Sequence, residues 1–127
     1  MLQPGLTGSA SLVVDESVSA KTIGSGTLDV LATPIMIALM EKAAWTCVSD
    51  HLDTGCGSVG TEIHVKHSAP TPRGILVTAT ATLLKVEGRQ LFFHLSAADA
   101  SGPIGEGTHT RFVIENDKFQ EKANRKQ

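Results

Sequence analysis

The sequence has no long run of lysine or arginine, no apolar stretch near the roughly 18 residues of a membrane span, and only two cysteines. Each scarcity removes a class of function. A net charge of −2 with no basic patch argues against a nucleic-acid or anionic-membrane partner. Two cysteines, Cys47 in a predicted helix and Cys56 in the Gly-rich turn after it, are too few for a disulfide scaffold. A bridge between them is unforced, and reduced thiols in the cytoplasm are the better reading. The opening "MLQPGLTGSASLVV" lacks the basic-then-apolar pattern of a secretory signal, so a soluble cytoplasmic protein is expected. Also missing are G-x-G-x-x-G after a strand, G-x-x-x-x-G-K-[ST] and G-x-S-x-G. The usual dinucleotide, nucleotide and serine-hydrolase signals are therefore absent, as are internal repeats and low-complexity segments.

What is present fits one domain spanning residues 1–127, long enough to bury its own core at 41% hydrophobic and 19% charged residues. A short β-prone core, Leu12 to Val14, precedes the Gly/Ser/Thr-rich connection "KTIGSGTLD". A helix then starts at "TP", with Thr33 as N-cap and Pro34 at the first helical position. It should end near His51 or Leu52, with Gly55 or Gly57 available for a left-handed residue. Everything beyond alternates. "SVGTEIHVKHSA" places Thr61, Ile63, Val65 and His67 on one strand face and Glu62, His64 and Lys66 on the other. "ILVTATATLLKV" and "QLFFHLSAAD", joined by "EGR", form a hairpin. "IGEGTHTRFVIEN" is the last strand. Residues 116–127 read as a charged tail or short terminal helix. One strand, one helix and four strands joined by tight turns make an α+β layer with an antiparallel sheet. A helix apolar nearly all round, covered by one sheet, keeps an open flank. The natural cover is a second copy of the chain, so a homodimer is expected, with a higher oligomer left open.

Glu41 interrupts the apolar run of "LATPIMIALMEKAAW". Its bland reading is a half-exposed helical Glu beside Lys42. Its functional reading is a carboxylate in apolar surroundings, whose pKa such a setting raises. His67 ends a strand and reads either as a satisfied strand-end histidine or as a site residue. His64 and His67 mimic an H-x-x-H metal pair, yet residues three apart in a strand face opposite ways. No Cys or carboxylate stands at ligand spacing, so no zinc site is expected. The other histidines, His51, His94 and His109, are dispersed. Arg111, in "GTHTRFVI", is either a sheet-surface residue or a fork for a phosphate or carboxylate.

"MIALMEKAAW", "GSVGTEIHVKHSAPTPRG", "VTATATLLKVEGRQL" and "GTHTRFVI", in this order and spacing, resemble the fluoroacetyl-CoA thioesterase group of hot-dog proteins. The likeness spans about residues 30–120. It implies a hot-dog fold, a curved antiparallel sheet of about five strands wrapped around one long central helix. It also implies acyl-CoA hydrolysis at a dimer interface, with no metal or bound redox cofactor. By motif position the family's catalytic threonine, glutamate and histidine fall on Thr33, Glu41 and His67. Its glycine near the thioester falls on Gly60, and its substrate-binding arginine on Arg111. The chain departs from the group before the helix. The fluoroacetyl-specific enzyme carries lid phenylalanines there, whereas "KTIGSGTLDVLA" has no aromatic, which puts fluoroacetyl-CoA selectivity in question.

The expected mechanism has Glu41 attack the thioester carbonyl or activate a water, with His67 moving a proton and Thr33 positioning the reacting groups. If Thr33 caps the helix, it stands about 12 Å along the axis from Glu41. Either the helix starts later or one role is filled across the dimer, and the open helix flank favours the second. The alternatives are a hot-dog acyl-thioester hydratase or dehydratase, whose His-Phe-Pro-Gly run is missing, and a non-catalytic acyl-CoA-binding protein.

Overall fold

The computed structural model describes residues 2–127. Five strands form one antiparallel sheet in the order β1-β3-β4-β5-β2. They are β1 Thr7–Val13, β2 Cys56–His67, β3 Leu76–Glu87, β4 Gln90–Asp99 and β5 Gly102–Glu115. Among the described residues three α-helices accompany them: α1 Ala20–Ile23, α2 Thr33–Ser49 and α3 Asn116–Asn124. The sheet wraps α2, as the α+β hot-dog expectation requires. The strands β1 and β2 are its two edges.

Alternation builds the inner wall. Val77, Ala79, Ala81 and Leu83 of β3 and Leu91, Phe93, Leu95 and Ala97 of β4 are buried against the helix. Thr78, Thr80 and Thr82 turn outward, where β-branched polar residues suit a half-solvated pleat. From α2, the stripe Met36, Leu39, Met40, Ala43, Ala44, Cys47 and Val48 meets that wall. The spacing is that of one wide helix face. The helix lies close on β1 because Gly8 has no side chain there: a Cβ would strike the Ala43 carbonyl and Cys47. Burial in this packing holds the Cys47 thiol above its ordinary range. The opposite flank stays open, with Ala38, Lys42 and Trp45 exposed and Glu41 half-buried.

Several local expectations need correction. The N-cap is Ala32, and Thr33 is already the first helical residue, with Pro34 behind it. The methyl of Ala32 cannot cap the helix, and the hydroxyl of Thr33 is engaged elsewhere, as described below. The helix stops at Ser49, before His51 and Leu52. The first strand begins at Thr7, since small and polar residues there pair with β3 from Thr7↔Thr82 to Val13↔Leu76. The connection to α2 holds a short 3₁₀ turn, Glu16–Val18, and α1, each capped by a side chain, Asp15 and Ser19.

The consequential correction is in β2. Its pairing with β5 shifts between Gly60 and Glu62, so Thr61 is an extra, bulged residue. Gly60 pairs with Arg111, whereas Ile63 pairs with His109 and His67 with Gly105. The bulge therefore reverses the alternation. Ser58 and Gly60 before it share the inner face with Ile63, Val65 and His67 after it. Thr61 does not belong to that set; its hydroxyl donates to the Thr110 carbonyl at 3.2 Å.

Candidate active site

The polar side chains singled out in the sequence gather in two clusters along the α2–β2 seam. At the first, Thr33 at the start of α2 meets His67 at the end of β2. Thr33 Oγ1 lies 2.7 Å from His67 Nδ1. The pair opens into a cavity of about 310 Å³ walled by Ala20, Ser25, Val30 and Leu31 and, from beyond β2, by Ser68 to Pro70. Burial holds the His67 imidazole below the ordinary histidine pKa, so it stays neutral. Its Nε2 is buried and has no hydrogen-bond partner among the described residues. A buried unpaired nitrogen is costly unless something else completes it.

The second cluster surrounds Glu41, two turns along α2. The carboxylate is 41% exposed and faces Arg111, with Oε2 3.7 Å from Nη1. The surroundings are thus not the wholly apolar ones expected; a buried cation shares them. Arg111 is only 6% exposed. Its Nε donates to Ser58 Oγ at 2.8 Å and its Nη2 to the Ser58 carbonyl at 2.7 Å. Burial pushes the guanidinium pKa down, with Glu41 pulling the other way. Gly60 lies alongside: a Cβ there would come within 2.9 Å of Glu41 Oε2 and 3.0 Å of His109 Cε1. The cluster opens into a cavity of about 210 Å³ lined by Glu41, Gly60 to Ile63, and His109.

His109 is the residue that sequence reading missed. It is 3% exposed and approaches Arg111 Nη1 at 3.1 Å through Nε2. A signal was available. Two residues apart on one strand, His109 and Arg111 share a face, and that face is otherwise the core side of the sheet. His64, by contrast, lies on the outer face with Lys66, Glu106 and Thr108. Among the described residues, no three His, Cys, Asp or Glu side chains are grouped so as to hold a metal ion.

Within one chain, Thr33 and His67 meet, and Glu41, Gly60 and Arg111 meet. The two clusters line separate cavities. The arrangement offers a neutral imidazole with a free nitrogen at one end, and a carboxylate steered by an arginine at the other.

Comparison with known proteins shows the family. A profile of the fluoroacetyl-CoA-specific thioesterase family matches residues 14–117. The fluoroacetyl-CoA thioesterase of Streptantibioticus cattleyicolor is 47% identical over 98 residues, covering 77% of this chain and 70% of that protein. A solved structure of the fluoroacetyl-CoA thioesterase FlK superposes with a TM-score of 0.94 at 37% identity, over 100% of this chain and 98% of that one. A threonine-to-serine mutant of FlK in complex with acetyl-CoA gives 0.93 at 37% identity, over 98% of each chain. A Thermus thermophilus protein of the thioesterase superfamily shares the fold, with a TM-score of 0.90 at 23% identity over 98% of this chain and 93% of that one. The chain belongs to the fluoroacetyl-CoA-specific thioesterase family and is a hot-dog thioester hydrolase.

Proposed function

We propose that this protein hydrolyses small acyl-CoA thioesters to free acid and CoA in a site shared by two copies of the chain. Glu41, Gly60 and Arg111 come from one copy, Thr33 and His67 from the other. The observation that carries this is the buried His67 Nε2, which has no hydrogen-bond partner among the described residues and lines a different cavity from Glu41.

The edge strand β2 supplies the means. Its outer edge has no neighbour in the sheet, and the residues from Gly60 to His64 are exposed. An unpaired edge of this kind is a template for another strand. In an antiparallel β2–β2 pairing about a two-fold axis at His64, inward-facing Ile63 stands opposite Val65 of the second copy, and the extra residue Thr61 brings Gly60 opposite its His67. The open flank of α2, including Trp45, which is 44% exposed, is covered by the same association.

The reaction follows from the groups so assembled. Glu41 attacks the thioester carbonyl or draws the proton from a water that does. The C–S bond breaks, and the neutral His67 ring takes up at Nε2 the proton released by the hydrolytic water, directly as that water opens the Glu41 anhydride or by way of Glu41 acting as base, and hands it to the departing CoA thiolate. The Thr33 hydroxyl fixes that ring through Nδ1. A backbone N–H at the Gly60–Thr61 bulge stabilises the developing oxyanion. Single-turnover hydrolysis in ¹⁸O water puts label in the Glu41 side chain when an anhydride is opened at the glutamyl carbonyl. With label only in the product acid, hydroxylamine trapping decides: a Glu41 hydroxamate marks an anhydride, and none marks a general base.

Arg111 takes a different part from the one motif position implied. With Nε and Nη2 committed to Ser58, it serves the Glu41 carboxylate rather than a CoA phosphate. The fluoroacetyl group of the relatives is not carried over. The segment from Lys21 to Ala32, which walls the Thr33–His67 cavity, has Ile23 and Leu28 as exposed large residues and no aromatic. Two free thiols, one buried, suit the reducing cytoplasm.

Thiol release over a panel of acyl-CoAs tests the activity and its chain length together. Loss of an enoyl-CoA double bond without free thiol would instead make the protein a hydratase. CoA esters that raise Tm but are never cleaved would make it a binder. Mixing Glu41→Gln with His67→Ala chains tests the shared site. Random pairing regenerates one intact site in half the dimers, so about a quarter of wild-type activity returns. No recovery would place all the groups in one chain.

A further inference from the structure

The Glu41 cluster contains an imidazole that the proposed chemistry leaves unused. His109 Nδ1 lies 2.8 Å from the Glu62 carbonyl oxygen. A carbonyl only accepts, so Nδ1 carries a proton. Nε2 lies 3.1 Å from Arg111 Nη1, and a guanidinium only donates, so Nε2 carries none. The two contacts together select one state, the neutral ring protonated at Nδ1. Arg111 Nη1 is also the atom facing Glu41, at 3.7 Å. The remaining contacts of the guanidinium go to Ser58. Two sides of the fork are thus held by Ser58, and its working edge is shared between His109 and Glu41.

We propose that His109 is a positioning residue for the thioesterase reaction: as a neutral acceptor it sets the tilt of Arg111 and, through it, the place of the Glu41 carboxylate. This rests on the reading of Glu41 as the reacting carboxylate. Protonation undoes the arrangement. A second N–H would point at the Arg111 N–H, the acceptor would be lost, and two cations would adjoin. The charged groups facing the ring are Arg111 from β5 and Glu41 from α2. The strand β2 presents the Glu62 carbonyl, and β4 presents the uncharged Phe93 ring, 6.2 Å away between centroids. Burial, with Arg111, holds the ring neutral, while the Glu62 carbonyl and Glu41 oppose them. Acid is therefore the direction in which the device fails.

The test is steady-state kinetics of the dimer carrying His109→Leu or His109→Gln, with pH profiles of kcat/KM. Leu fills the space without an acceptor. Gln brings an amide oxygen to the position of Nε2 but cannot take up a proton. For Leu we expect a loss of about tenfold or more in kcat with KM within about twofold. Gln should recover most of that loss, and its acid limb should be less steep than the wild-type limb by one proton. Equal losses in Leu and Gln, wild-type kcat in Leu, or an unchanged acid limb in Gln would overturn the proposal. Should Leu fail to fold, the Gln profile decides alone. Inactive Glu41→Gln beside fully active His109→Leu removes only this inference. Active Glu41→Gln removes the reading of Glu41 on which it stands.

Discussion

The two ends of the α2–β2 seam are built on opposite plans. At the Glu41 end every polar group has a partner: Ser58 takes two edges of Arg111, His109 takes part of the third, and the Glu62 carbonyl fixes His109. At the Thr33 end a single 2.7 Å contact orients His67, and the far nitrogen of that ring is left over. The contrast separates two tasks. In the proposed reaction the group that must stay in place is held from several sides, while the one that exchanges a proton keeps a position unfilled.

The largest effects should come from removing either end. Glu41→Gln and His67→Ala should each lower kcat by about 10²- to 10⁴-fold, with thermal unfolding unchanged in Glu41→Gln. Near-normal turnover in either would end the division of labour. Gly60→Ala should cost more in rate than in stability. The added Cβ meets the movable tip of Glu41 and the edge of His109 rather than backbone. A drop of roughly tenfold in kcat with less than about 1 kcal/mol of destabilisation is expected. A loss of stability alone would mean that the Glu41 end is not a reacting centre.

Thr33→Val, which keeps the shape and removes the hydroxyl, should lower kcat about tenfold, with Thr33→Ser restoring most of it. If Val is silent, His67 is oriented by packing alone. The smallest effect concerns pH. His67 and His109 are both held below the ordinary histidine value near 6.5 by burial. The unfolded chain takes up their protons at that value, and the folded chain does so only at lower pH. Stability is therefore complete above about 6.5 and declines as pH falls toward the folded values. Tm should drop by a few degrees over that interval. His109→Gln should remove its share, and His67→Gln the other. An acid-side Tm that neither variant alters would show that both rings titrate as if exposed.

The fold was readable because its signals are local. The TATAT alternation of β3, the apolar stripe from Met36 to Val48 and the short turns leave few other ways to arrange a sheet and a helix. Glu41 stood out as a charge in an apolar run, for a local reason as well. His109 did not, because a histidine in a strand has no meaning until its neighbours across β2 and β4 are known. Nor did the bulge: Thr61 looks like any alternating residue, and only its pairing with β5 shows that it is extra. Thr33 was misjudged for the same reason. Its hydroxyl could satisfy the helix end or a distant histidine, and the choice is made by where β2 finishes.

Thr61 leaves the stretch between Gly60 and His67 with a rule of parity. The two stand seven steps apart, an odd count that in an unbroken pleat would turn them to opposite faces. The single surplus residue makes the count behave as even. The segment should therefore accept exchanges of residue type far more readily than changes of length. Deleting one residue between Glu62 and Lys66 turns His67 away from its cavity, whereas deleting the surplus Thr61 itself leaves an unbroken pleat with Gly60 and His67 still on one face.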